Sequence, residues 1–90
     1  MHRPTVNAYI LDACQEFCPA ITFFKDRVKF TWFRIGTDES DPILQLIYSY
    51  RLGIFETCEG FGPESSLPIA REQASQVREA VYSIINGVTL

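Results

Sequence analysis

The chain has 90 residues, a mass of 10.3 kDa, 47% hydrophobic and 21% charged residues, and a formal net charge of −3. This length holds one domain with one core, and the apolar share with so little net charge excludes a disordered chain. No apolar run approaches the roughly 20 residues that span a bilayer, and the opening Met1-His2-Arg3-Pro4-Thr5-Val6-Asn7 lacks the features of a secretory signal, so a single cytoplasmic domain over residues 1–90 is expected.

The first predicted element is a helix from about Pro4 to Phe17. Val6, Ile10, Ala13, Cys14 and Phe17 recur at the three-and-four spacing of one apolar stripe, and Pro19 prevents continuation past Cys18. Residues 20–35 read as two strands, Ile21 to Phe24 and Val28 to Ile35, around a tight turn at Lys25-Asp26-Arg27. Gly36 to Pro42 is a loop by composition. Ile43 to Tyr50 alternates as a strand, with Leu44, Leu46, Tyr48 and Tyr50 on one face and Ile43, Gln45, Ile47 and Ser49 on the other. Leu52 to Cys58 pairs back or continues after a break at Gly53, and Glu59 to Ser66 reads as an irregular connector. Ala70, Ala74, Val77, Val81, Ile84, Ile85 and Val88 trace a long final helix, closed by Asn86-Gly87 as a left-handed cap. Strands grouped between two helices predict an α+β fold of two layers. An antiparallel sheet of three to four strands is flanked by an N-terminal and a C-terminal helix, in the order α-β-β-β-(β)-α.

The charge is unevenly placed. Residues 1–37 carry net +2, residues 38–64 net −5 and residues 65–90 none. A general nucleic-acid binder needs a basic balance that the whole chain lacks, although Lys25-Asp26-Arg27-Val28-Lys29 is locally basic. The acidic middle reads as a solvated rim.

No set of side chains spells out a reaction. Three cysteines without a secretory signal point to free thiols, and Cys14 on the apolar stripe serves as a small hydrophobe. Cys14 and Cys18, with only Cys58 and His2 besides, fall short of a zinc set. His2 is the one histidine, so imidazole-based acid–base or nucleophilic schemes lack their base. Cys58 lacks a neighbouring cation to activate it, and the pairs Glu56/Glu59 and Asp38/Asp41 lie in polar surroundings that do not raise a carboxyl pKa. Asp38, Glu39 and Asp41 do not follow calcium-loop spacing, and Gly60-Phe61-Gly62 lacks the third glycine of a dinucleotide fingerprint. No cofactor or metal is expected.

Surface chemistry remains. Phe30-Thr31-Trp32-Phe33-Arg34-Ile35 is apolar on both faces of its strand. With Val28, Phe30 and Trp32 toward the helices, Phe33 and Ile35 point away beside Lys29. In the next strand either Tyr48 and Tyr50 or Ile43 and Ile47 do the same. The expected partner-binding residues are therefore Lys29, Phe33, Arg34, Ile35, Tyr48 and Tyr50, on a sheet face that is open unless Phe55 and Phe61 fold over it. Arg71, Ser75, Arg78 and Tyr82 line up on the last helix as a secondary surface, or as a plain solvated face.

The helix–strands–helix path resembles the double-stranded-RNA-binding domain, a family that relies on lysines at the start of its second helix. This chain has Leu67, Pro68, Ile69, Ala70 and Arg71 there, so the resemblance is confined to topology. The function expected is a non-enzymatic binding protein that acts by protein–protein contact, as a homodimer through its aromatic sheet face or on a larger target, plausible forms being an inhibitor (an anti-defence inhibitor for example), adaptor or chaperone encoded by a phage or mobile element. A second expectation is a single-stranded nucleic-acid binder, with aromatic side chains on bases and Lys25, Arg27, Lys29 and Arg34 on phosphates. A third is a small enzyme using Cys58 or a carboxylate pair.

Overall fold

The computed structural model describes residues 3–33, 42–60 and 68–87. Helix α1 spans Arg3–Cys14 and tightens into a 3-10 turn at Gln15–Phe17. Val6, Ile10 and Cys14 are its buried stripe. It ends where Cys18 takes the left-handed conformation (φ +66°), its N–H donating to the Gln15 carbonyl at 3.0 Å, and Pro19 prevents the helix from resuming.

Four strands follow: β1 (Ala20–Phe23), β2 (Arg27–Phe33), β3 (Pro42–Ser49) and β4 (Ile54–Gly60). Each pairs antiparallel with its sequence neighbour, in the spatial order β1-β2-β3-β4. The β1–β2 connection closes without glycine, the Phe24 N–H donating to the Arg27 carbonyl at 2.8 Å. The β3–β4 turn needs Gly53 at φ +70°, where L-residues are strained. Its amide donates to the Ser49 carbonyl at 2.9 Å, and the Leu52 amide donates to Ser49 Oγ at 3.1 Å. The Tyr50 amide donates to the Asp26 carbonyl at 2.9 Å and so fastens the two turns side by side.

Helix α2 spans Pro68–Asn86 and presents Ala74, Val77, Val81 and Ile84 inward. Gly87 (φ +70°) caps it, donating to the Ile84 carbonyl at 3.2 Å. The architecture is α+β, in the order α-β-β-β-β-α, so the segment after Gly53 is a full fourth strand.

The register decides which sheet face meets the helices. Val28, Phe30 and Trp32 lie opposite Tyr48, Leu46 and Leu44, and all six join the buried residues of α1 and α2 in one core. Ile21, Phe23 and Phe55 pack against it. The opposite face holds Lys29, Thr31, Gln45 and Ile47 and carries no helix among the described residues, although Thr31 is buried there. Two register shifts interrupt the ladders: one at Trp32/Phe33, and one at Ile47/Tyr48 that leaves Glu56 as an extra residue between Phe55 and Thr57.

Candidate interaction surface

The turn end of the sheet gathers an unusual set of side chains. Ile54, Ser49 and Arg27 form one row across β4, β3 and β2, and Ile47 and Lys29 are paired in the next row on the same face. Phe24, in the β1–β2 turn, has the Arg27 guanidinium 5.7 Å and the Lys29 ammonium 5.8 Å from its ring centre. Leu52 in the neighbouring turn and Ile54 just beyond it are 52% and 50% exposed, and Phe24 is 45% exposed. Lys25 and Arg51, also exposed, complete the group: four cations with Asp26 as the one carboxylate within the two turns. Asp26 pairs with Arg27 at 3.8 Å between two well-solvated side chains, a contact that neutralises little. Glu56 is exposed on β4. An apolar centre bordered by cations is thus built at the turn end of the sheet, beside the register shift at Ile47/Tyr48.

The residues expected at a binding face divide differently. Lys29 is on the open face and half-buried. Phe33 is half-buried at the far end of β2, beyond the register shift. Arg34 and Ile35 lie outside the described residues, as do Phe61 and the loop acids Asp38, Glu39 and Asp41. Tyr48 is not a surface residue: it is 1% exposed and faces the helices, because its register with Val28 places it on the core side. Tyr50 shares that side, and its hydroxyl donates to Asn7 Oδ1 on α1. Both tyrosines belong to an edge-to-face aromatic cluster that seals one end of the core. Tyr48 lies 5.0 Å from Phe55, 5.9 Å from Tyr82 and 6.0 Å from Tyr50, centre to centre. Burial, with the nearby Tyr82 adding to it, raises the Tyr48 hydroxyl pKa above its ordinary value.

Phe55 also turns to the helices, so it does not cover the open face. The α2 line is split as well. Arg71, Ser75 and Tyr82 are exposed, although Tyr82 also packs edge-on against Phe55 at 5.4 Å, whereas Arg78 is half-buried with its guanidinium over the same ring at 5.9 Å. Cys14 is fully buried and its thiol is pushed up to about 12, chiefly by desolvation and further by the Glu16 carboxylate, so it is inert at neutral pH. Cys58 is placed on β4 opposite Leu46, its side chain outside the described set. Among the described residues no three His, Cys, Asp or Glu side chains are grouped to hold a metal ion. No helix among them is long and apolar enough to cross a membrane.

A second surface feature lies in the helix layer. An open groove of about 320 Å³ runs between the end of α1 and the outer flank of α2. Ala13, Phe17, Ala80 and Ile84 form its apolar floor, and Gln76, Glu79 and Ser83 its polar side.

Sequence reasoning missed Phe24, Leu52 and Ile54 as surface residues. Phe24 had a local signal, since alternation with an inward Phe23 turns it outward. The meeting of Phe24 with Leu52 and Ile54 depends on two turns lying together, and nothing within either turn encodes that. Comparison with protein-family models, with curated proteins and with solved structures gives no match.

Proposed function

We propose that this chain is a small non-enzymatic binding protein that works by contact with another protein, as an inhibitor, adaptor or chaperone does. The turn end of the sheet is the contact surface. The observation that carries the reading is the gathering of Phe24, Leu52 and Ile54, each about half exposed, with Lys25, Arg27, Lys29 and Arg51 around them. Apolar anchors bordered by cations suit a protein partner of acidic surface, because anchors supply affinity and rim charges supply steering. A nucleic-acid reading finds less support. Phe24 already carries two cations against its ring, and Tyr48 and Phe55 are committed to the core, so few aromatic faces remain for bases.

The test is affinity capture from extracts of the source cells, with the native chain and a Lys29→Glu/Ile54→Asp variant side by side. A partner retained by the native chain and lost from the folded variant is the expected result. Equal retention by both overturns the assignment of the surface. A salt-sensitive shift of a labelled single-stranded oligonucleotide, abolished by the same variant, replaces it with the nucleic-acid reading.

A further inference from the structure

The turn-end surface and the inter-helix groove are complementary to each other. The first offers exposed Phe24, Leu52 and Ile54 among cations. The second offers an apolar floor of Ala13, Phe17, Ala80 and Ile84, with the Glu79 carboxylate on its wall. Asp12 and Glu16, exposed on α1, immediately precede the floor residues Ala13 and Phe17 in sequence, and no lysine or arginine occurs between Val6 and Phe17. The nearest arginine of α2, Arg78, is drawn off toward the Phe55 ring. The groove is therefore acidic where the turn end is basic, and both have apolar centres.

The two cannot meet within one molecule. The turn end, with Arg27 and Lys29, belongs to the sheet face that carries no helix among the described residues, whereas the groove is on the outer side of the helix layer. Helix α1 also runs from the turn end, where Asn7 accepts from Tyr50, toward the opposite end, where Phe17 accepts from Trp32. The groove beside Phe17 is thus displaced along the molecule from the turns. We infer that the partner at the turn end is a second copy of this chain, whose inter-helix groove receives it head to tail. This rests on the turn end being a protein-contact surface. A contact between two different patches is heterologous, so each bound copy leaves one groove and one turn end open for the next. Association then grows with concentration into chains, or into a ring if the rotation closes.

The experiment is sedimentation of the full chain and two charge-reversed variants, at the exposed Arg27, Glu16 and Glu79 and the half-buried Lys29, with folding checked by circular dichroism. Arg27→Glu/Lys29→Glu blocks the turn end and leaves the groove. Glu16→Lys/Glu79→Lys blocks the groove and leaves the turn end. The expected results are that the native chain gains mass with concentration, that each variant alone stays a monomer, and that an equimolar mixture associates again, because one variant keeps the native groove and the other the native turn end. Only a heterologous contact rescues in this way. Raising the ionic strength from about 0.05 M to about 0.5 M should weaken native self-association at least ten-fold, because surface charge pairs are screened. A native chain that remains monomeric at every concentration overturns the inference, as does self-association that survives either variant or a mixture that fails to pair. Loss of a different partner on Lys29→Glu/Ile54→Asp substitution would, in that event, leave the turn-end contact reading standing.

Discussion

The indole N–H of Trp32 donates to the carbonyl of Phe17 at 2.9 Å, across 15 residues of sequence. This bond ties the 3-10 turn that ends the first helix to the second strand, close to where the chain reverses through Cys18 into β1. Trp32 is 4% exposed, so its polar nitrogen needs this partner.

Replacing Trp32 with Phe keeps an aromatic ring in the core but removes the donor and part of the buried surface. The expected loss is about 1–3 kcal/mol of stability, the range for losing a buried hydrogen-bond partner. Urea unfolding followed by circular dichroism measures it, and a loss below about 0.5 kcal/mol would show that this bond does not anchor the turn.

Tyr48 and Lys29 lie on neighbouring strands and opposite faces, and they should respond oppositely to substitution. Tyr48→Ala empties a site that Phe55, Tyr82 and Tyr50 surround, for an expected destabilisation of about 3–5 kcal/mol. Lys29→Glu should cost no more than about 1 kcal/mol, because it loses only the contact of a half-buried ammonium with the Phe24 ring and leaves the core intact. Comparable losses at both positions in one denaturation series would contradict the assigned faces.

Much of this arrangement is legible in the chain. The stripe from Val6 to Cys14, the β3 alternation and the α2 stripe ending at Gly87 each follow from local periodicity, and the structure has all three. What periodicity leaves open is which face of β3 meets the helices, because Ile43 and Ile47 are as apolar as Leu44 and Leu46. Pairing with β2 resolves it: Val28, Phe30 and Trp32 already point inward, and Tyr48 faces Val28 across the ladder. The turn-end surface was only half visible. Three of its four cations form one segment, Lys25 to Lys29, but the Tyr50 amide on the Asp26 carbonyl is what adds Arg51, Leu52 and Ile54 to them. A hydrogen bond between residues so distant in sequence has no local signature.

Gly53 gives a clean test of backbone strain. A Cβ built there would meet nothing within 4 Å, so substitution acts only through the positive φ. Gly53→Ala should lose about 1–2 kcal/mol, and Gly53→Asn less, because asparagine tolerates the left-handed region. Thermal unfolding of the two variants gives the order, and an alanine variant as stable as the native chain would refute it.

Cys14 gives a prediction with a defined sign. Its folded-state pKa of about 12 lies above the ordinary 9.0, so the folded chain holds the proton more tightly than the unfolded one. Its contribution is complete below about pH 9 and is lost as pH rises from there toward 12, because only the unfolded chain gains stability by ionising in that window. Urea midpoints measured upward from pH 8.5 should therefore fall more steeply for the native chain than for Cys14→Ala. At neutral pH an alkylating reagent should label exposed Cys18 readily and Cys14 only after unfolding, as peptide mass mapping would read.

The strand order β1-β2-β3-β4 follows the sequence without a crossover, yet α1 packs against α2, the last element of the chain. On the ribosome the meander can therefore assemble hairpin by hairpin as it emerges, each strand pairing with the one made before it. The first helix, although made first, has only the sheet to lean on until Ala74, Val77 and Val81 leave the exit tunnel. Until α2 has emerged the nascent domain thus shows an apolar sheet face that only α1 covers, and Ala74, Val77, Val81 and Ile84 complete the cover. A stop codon or a stall just before α2 would release a product with its strands in place and half of its roof missing.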